Sequence, residues 1–157
     1  MTDSELYDAV RAFLHTWRTA SLATVDEQGH AHAANVQFAV DERLHLIFVS
    51  SDSAAHSRHL ARDPQAAMTV YAHTDEDAGA AAIHGVQLHG RCARIDGADA
   101  RQHAWNVYSR RFTFIADNHV LAQRVKQEQF YRFIPTWLRW IDNRRGFGFK
   151  KEMRLEA

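Results

Sequence analysis

The chain has 157 residues, 46% of them apolar and 24% charged, which suits one soluble domain with a proper core and is short for two. Lys+Arg and Asp+Glu balance at 19 each, so nothing points to a nucleic-acid scaffold or an anionic membrane surface. A single cysteine, Cys92, excludes an intramolecular disulfide and a cysteine-rich zinc site. MTDSELYDAV lacks the basic and apolar regions of a signal peptide, and no apolar run approaches membrane-spanning length, so a cytoplasmic protein is expected.

The first element reads as an amphipathic helix. Leu6, Val10, Phe13, Leu14 and Trp17 form one stripe at helical spacing, and Thr2 with Glu5 has capping-box spacing. The period then changes to two. ASLATV (20–25), HAANVQFAV (32–40) and LHLIFVSS (44–51) read as strands, joined by DEQG and DER, short polar connections suited to antiparallel hairpins. Val36, Phe38 and Val40 alternate with Asn35, Gln37 and Ala39, giving one apolar and one mixed face. A short helix starting near Ser53 is closed by Pro64, and QAAMTVY (65–71) resumes strand.

AHTDEDAGAA (72–81), acidic and glycine-containing, reads as a flexible loop. IHGVQLHGRCARIDG (83–97) reads as a long strand in which Gly85 and Gly90 mark a bulge or a close backbone approach. Helical spacing returns from Asp99 to Lys126. QFYRFIPTWLRWID (129–142), broken by Pro135, is strand-like, and GFGFKKEMRL puts Phe147, Phe149, Lys151, Met153 and Leu155 on one face. Six or seven short strands beside three or four helices, without regular strand–helix alternation, predict a single domain over 1–157. Its expected fold class is mainly β, an antiparallel barrel with peripheral helices, and not a parallel nucleotide-binding sheet.

One stretch stands out chemically. VSSDSAAHSRHLARDP (49–64) places four serines, two histidines and two arginines between an apolar strand and a proline. A strand that leaves through Ser50 and Ser51 into a helix start exposes backbone N–H donors and a partial positive charge, which suits a phosphate. Serine hydroxyls, His56, Arg58 and His59 add further donors. Ordinary capping by Asp52 or Ser53 accounts for the same composition.

The eleven histidines are dispersed along the chain, His73 and His119 among them. His30-x-His32 lies on one strand face without a third ligand at usual spacing, so no metal site is expected. A Walker-type phosphate loop and a G-x-S-x-G nucleophile elbow are both missing. Trp105, Tyr108, Phe112 and Phe114 at roughly helical spacing suit a core or a subunit interface, and Arg110-Arg111 beside them could meet an anionic substrate.

The order of an N-terminal helix, then residues 20–70, then GVQLHGRCARIDG resembles the FMN-binding split barrels of the pyridoxamine 5'-phosphate oxidase superfamily, over about residues 5 to 155. GVQLHG with DNRRGFGFKK resembles a small, largely uncharacterised bacterial branch of it. The resemblance implies a homodimer with FMN in a cleft between the subunits. It implies that Ala34, Asn35, Val36 and Gln37 meet the ring system, and that Val49, Ser50, Ser51, His56 and Ser57 hold the ribityl phosphate. His56 stands where the family usually has lysine, a departure that Arg58 could offset and that makes phosphate affinity weaker or pH-dependent. Gly85 stands where the oxidase has a flavin-contacting Gln, and Gln87, two residues on, is implied in its place. Trp140 and Lys150 have the spacing of the oxidase's Trp and Arg. The oxidase's C-terminal substrate-recognition arrangement is not reproduced, so vitamin B6 oxidation is not implied.

The function this implies is an FMN-dependent oxidoreductase with no visible catalytic acid or base; His32 and His89 are the nearest candidates for proton donation. The alternatives are a haem-binding or haem-degrading split barrel, with His119 as the candidate axial ligand, and a non-catalytic flavin-binding dimer. A small-molecule substrate is expected, and neither nucleic acid nor membrane.

Overall fold

A computed structural model describes residues 1–72 and 76–156. Part of the acidic loop, and His73 with it, lie outside the described residues. Helix α1 (Asp3–Thr16) starts at Thr2, whose Oγ1 accepts from the Glu5 N–H at 3.2 Å while Glu5 Oε2 accepts from the Thr2 N–H at 2.6 Å. The capping box is complete. Leu6, Val10, Phe13 and Leu14 then face the barrel.

Seven strands follow: β1 (Thr19–Val25), β2 (Ala31–Val40), β3 (Leu46–Ser50), β4 (Gln65–Tyr71), β5 (His84–Arg94), β6 (Gln129–Asp142) and β7 (Lys150–Arg154). They pair antiparallel in the order β3-β2-β1-β4-β5-β6-β7, and β3 also pairs with β6, closing a six-stranded barrel. Closure depends on the length of β6. Residues 129–133 pair with β3, while Trp137–Ile141 on the same edge pair with β7. The interior is filled by inward side chains such as Leu22, Phe38, Phe48, Met68, Leu88 and Phe133, all essentially inaccessible.

Both strand glycines have steric reasons. A Cβ on Gly85 would lie 2.5 Å from the Val70 carbonyl oxygen, and one on Gly90 2.1 Å from that of Ile134. The register slips between His89 and Gly90, where the sequence leaves Thr136 as the extra residue of a bulge. Phe149, Met153 and Leu155 pack on the core, as their shared face predicts.

Among the described residues there are five α-helices, against the three or four that the sequence suggests. The stretch read as one helical region is three: α3 (Ala98–Arg111), α4 (Thr113–Ala116) and α5 (His119–Gln127). The chain leaves helical geometry at Phe112 (φ −107°, ψ 67°), which buries its ring, and Asn118 restarts the helix by accepting from the Leu121 N–H. Together α3 to α5 cover Ala39, Ile47 and Phe130 outside the barrel, forming a second core with Tyr108, Phe112 and Ile115. No helix of the described residues is long and apolar enough to cross a membrane.

Candidate functional site

The serine-rich turn joins β3 to α2 (Ala55–Arg62). The N-cap is Ala54, without a side-chain bond, and neither Asp52 nor Ser53. The serines bond within the turn instead. Ser50 Oγ lies 2.7 Å from His56 Nε2, Ser51 Oγ 2.8 Å from Ser53 Oγ, and Ser57 Oγ donates to the Ser51 carbonyl at 2.7 Å. The Arg58 guanidinium donates to the Ser53 carbonyl. Burial, and then the neighbouring His59, push the His56 pKa below its ordinary value, favouring the neutral ring.

Beside this turn β2 has an open edge. Phe38 N–H donates to the Arg18 carbonyl at 3.0 Å, so even-numbered residues of β2 bond to β1. Odd-numbered residues point their backbone groups to the other edge, where pairing with β3 stops at Phe38↔Phe48. Along its other edge β3 pairs with β6 over its whole length, Leu46–Ser50. The N–H and C=O of Asn35 and the N–H of Gln37 therefore lie beyond the last β2–β3 pair, facing the gap between β2 and the turn. Ala34, Asn35, Val36, Gln37, Val49, Ser50, Ser51, His56, Ser57 and Arg58 thus lie in one region.

The remaining expected residues lie elsewhere in the same chain. Gln87 is on the outer face in a lateral row that runs Asn35, Ser21, Thr69, Gln87, Arg139, Glu152. That places it three strands from Asn35, about 14 Å away. Its Oε1 accepts from Arg139 Nη1 at 3.3 Å, and Arg139 Nε reaches Glu152 Oε1 at 2.7 Å. Lys150 is exposed on β7. Trp140 is inside the barrel, 4% exposed, with its ring 5.1 Å from that of Phe13 and its Nε1 without an acceptor. No face of that indole is open to a ligand on the surface.

The histidines are largely accounted for. His32 Nε2 lies 2.8 Å from Asp26 Oδ2, with its ring 4.6 Å from that of His59, whose Nδ1 meets Thr24 Oγ1 at 2.9 Å. The His32 bond, followed by the backbone N–H of His30, holds the Asp26 carboxyl far below the usual range. His89 stacks on Trp137 at 4.4 Å. His119 is exposed at the first position of α5, outside any apolar pocket. No group of three or more His, Cys, Asp or Glu forms a metal site among the described residues.

A cavity of about 660 Å³ lies at the other end of β3, between α1, the β2–β3 hairpin and α3. Its wall carries His15, Glu42, Arg43, His103, Arg110 and Arg111. Arg111 donates Nη1 to the Leu14 carbonyl at 2.9 Å and Nη2 to that of Trp17 at 2.6 Å; burial and then Arg18 bring its pKa down to about 10. Arg43 and Arg110 make no ion pair among the described residues, and the three arginines outnumber the two lining carboxylates, Asp41 and Glu42, so the cavity is formally net cationic. Arg110-Arg111 was visible as a sequence pair; His15, Arg43 and His103 carried no periodic or motif signal.

The family model for pyridoxamine 5'-phosphate oxidase matches residues 6–141, covering the barrel, the β2 edge and the serine-rich turn. The chain belongs to that family. Among solved structures, this member of the oxidase family is similar to ChuZ of Campylobacter jejuni (TM-score 0.78, 11% identity, covering 98% of this chain and 61% of that one). It is similar to HutZ, a haem storage protein of Vibrio cholerae (TM-score 0.68, 21% identity, 82% and 88% covered). It is also similar to a haem-binding protein of Mycobacterium smegmatis (TM-score 0.71, 22% identity, 92% of this chain and 55% of that one). These likenesses establish the split-barrel fold, and the chain spans 55% and 61% of two of those proteins. No curated protein matches the sequence.

Proposed function

We propose that the protein binds FMN in the gap between the β2 edge and the β3–α2 turn and serves as an FMN-dependent oxidoreductase. The observation that carries this reading is the open edge of β2. Asn35 offers a backbone donor and acceptor, and Gln37 a donor, beyond the last β2–β3 pair, groups of the kind a flavin's pyrimidine ring bonds. The turn adds N–H groups at an uncapped helix start for a phosphate. FMN supplies the redox chemistry when bound. The chain's own residues position it, exclude water and set its hydrogen bonding.

A second copy of the chain completes the site in this reading. The outer face of β2-β1-β4-β5 presents Ala33, Ala23 and Ala67 in one row, small residues that favour close packing of a partner. Gln87 and Lys150, remote from Asn35 within one chain, then reach the gap of the other protomer. The cationic cavity behind β3 suits an anionic small-molecule substrate.

The haem reading stands beside it, favoured by two relatives named for haem and by the histidine count. The test is the visible spectrum of the purified protein with FMN or haem added. Paired near-ultraviolet and blue bands carried into the supernatant of a denatured sample support FMN, and one intense violet band supports haem. Ser50→Ala with His56→Ala is expected to weaken FMN binding about tenfold or more. Unaltered FMN affinity in that variant rejects the phosphate assignment.

A further inference from the structure

At the β5–β6 bulge a second cavity, of about 440 Å³, is lined by Pro64, Arg91, Arg94, Ile95, Arg132 and Ile134, among others. Asp96 is the one carboxylate lining it, and Arg94 Nε already holds it at 3.0 Å. Arg91 and Arg132 have neither an ion pair nor a side-chain hydrogen bond among the described residues. Arg132 is half-buried on β6, between Ile47 of β3 and Ala93 of β5, and its Nε is sealed from solvent with no acceptor.

The Arg132 Nε is withdrawn from water without an acceptor, and nothing in the fold offsets that cost. Two free guanidinium forks in one cavity also repel each other, a cost that a shared anion removes. Pro64, Ile95 and Ile134 supply an apolar part of the wall. We propose that this cavity binds a small organic anion, a carboxylate or phosphate monoester with a compact apolar body. Arg91 and Arg132 grip its oxygens in a bidentate manner and the proline and isoleucines cover its body. The site is separate from the serine-rich turn. Arg132 stands three residues along β6 from Gln129, the partner of Ser50, about 10 Å away and on the outer face. It does not rest on the cofactor reading.

The test titrates phenyl phosphate and benzoate calorimetrically into the wild-type protein, Arg132→Met, Arg91→Gln and the Ser50→Ala/His56→Ala variant, with a thermal melt of each protein alone. The expected result is that at least one probe binds the wild type, and that each arginine variant weakens it by about tenfold to a hundredfold. The Ser50/His56 variant is expected to bind unchanged. Inorganic phosphate, lacking the apolar body, should bind more weakly than phenyl phosphate. Arg132→Met alone should melt at or above the wild-type temperature, because it removes an unpaired cation. Failure of both probes to bind, binding retained in Arg132→Met, or binding lost in the Ser50/His56 variant overturns the proposal. So does a lower melting temperature of Arg132→Met, which would make Arg132 a support of the barrel.

Discussion

The turn after β3 and the cavity at the β5–β6 bulge are both crowded with donors, and they use them in opposite ways. In the turn, Ser50, Ser51, Ser57, His56 and Arg58 bond one another or the local backbone. At the bulge, exposed Arg91 and half-buried Arg132 line the cavity with no protein partner among the described residues, and Arg132 Nε is sealed from solvent. A ligand at the turn must therefore exchange bonds that already exist, for a small net gain per bond, and the slot's unspent capacity is the β2 edge. A ligand at the bulge satisfies groups that the fold leaves unsatisfied. Density of polar residues marks where donors are; their state in the folded chain decides what they can still do.

The widest separation of the two regions comes from Gly90→Ala. The new methyl carbon would meet the Ile134 carbonyl oxygen at 2.1 Å and the Pro135 Cα at 2.9 Å, both backbone atoms of β6 that cannot rotate away. The variant is expected to lose about 3 kcal/mol in denaturant unfolding and to disturb the bulge cavity. FMN affinity measured on its folded fraction should be unchanged if the two regions are independent. A smaller loss arises at Ser57→Ala. The Ser57 side chain is buried at 3% exposure and its hydroxyl donates to the Ser51 carbonyl. Its removal should cost about 1–2 kcal/mol and loosen the turn. A stability unchanged within error would show that the turn is not held by its serines.

Much of the fold was legible from periodicity. The α1 stripe and its capping box, the alternation in β2, and the two strand glycines all have their reasons in neighbouring residues. The split of residues 98–127 into three helices was not legible, because it follows from where the Phe112 ring is buried and no breaker residue announces it. The slot was half legible. Ser50 and His56 do bond, but the open edge at Asn35 depends on the β2–β3 pairing ending at Phe38↔Phe48, a limit set by the long-range β3–β6 pairing that no local pattern encodes. Arg132 was illegible for the same reason. It looks like an ordinary polar position in an alternating strand until the lack of a facing carboxylate is known.

The finest distinction is in protons. Burial lowers the pKa of His56, and likewise those of His15 and His45, below the 6.5 of an unperturbed histidine. In the window from 6.5 down to these lowered values the unfolded chain binds more protons than the folded one, so stability falls as pH falls. His56→Gln should flatten the part of this slope that the turn contributes. Binding of a phosphate at the same turn has the opposite sign, because the anion favours the protonated imidazole and raises its pKa. The ratio of FMN affinities, wild type over His56→Gln, cancels the titration of the phosphate itself. It should grow as pH is lowered through that window, while the unliganded wild type loses stability. A ratio that stays constant with pH would mean that His56 serves the turn only as the neutral partner of Ser50, and that the phosphate meets it, if at all, without its charge.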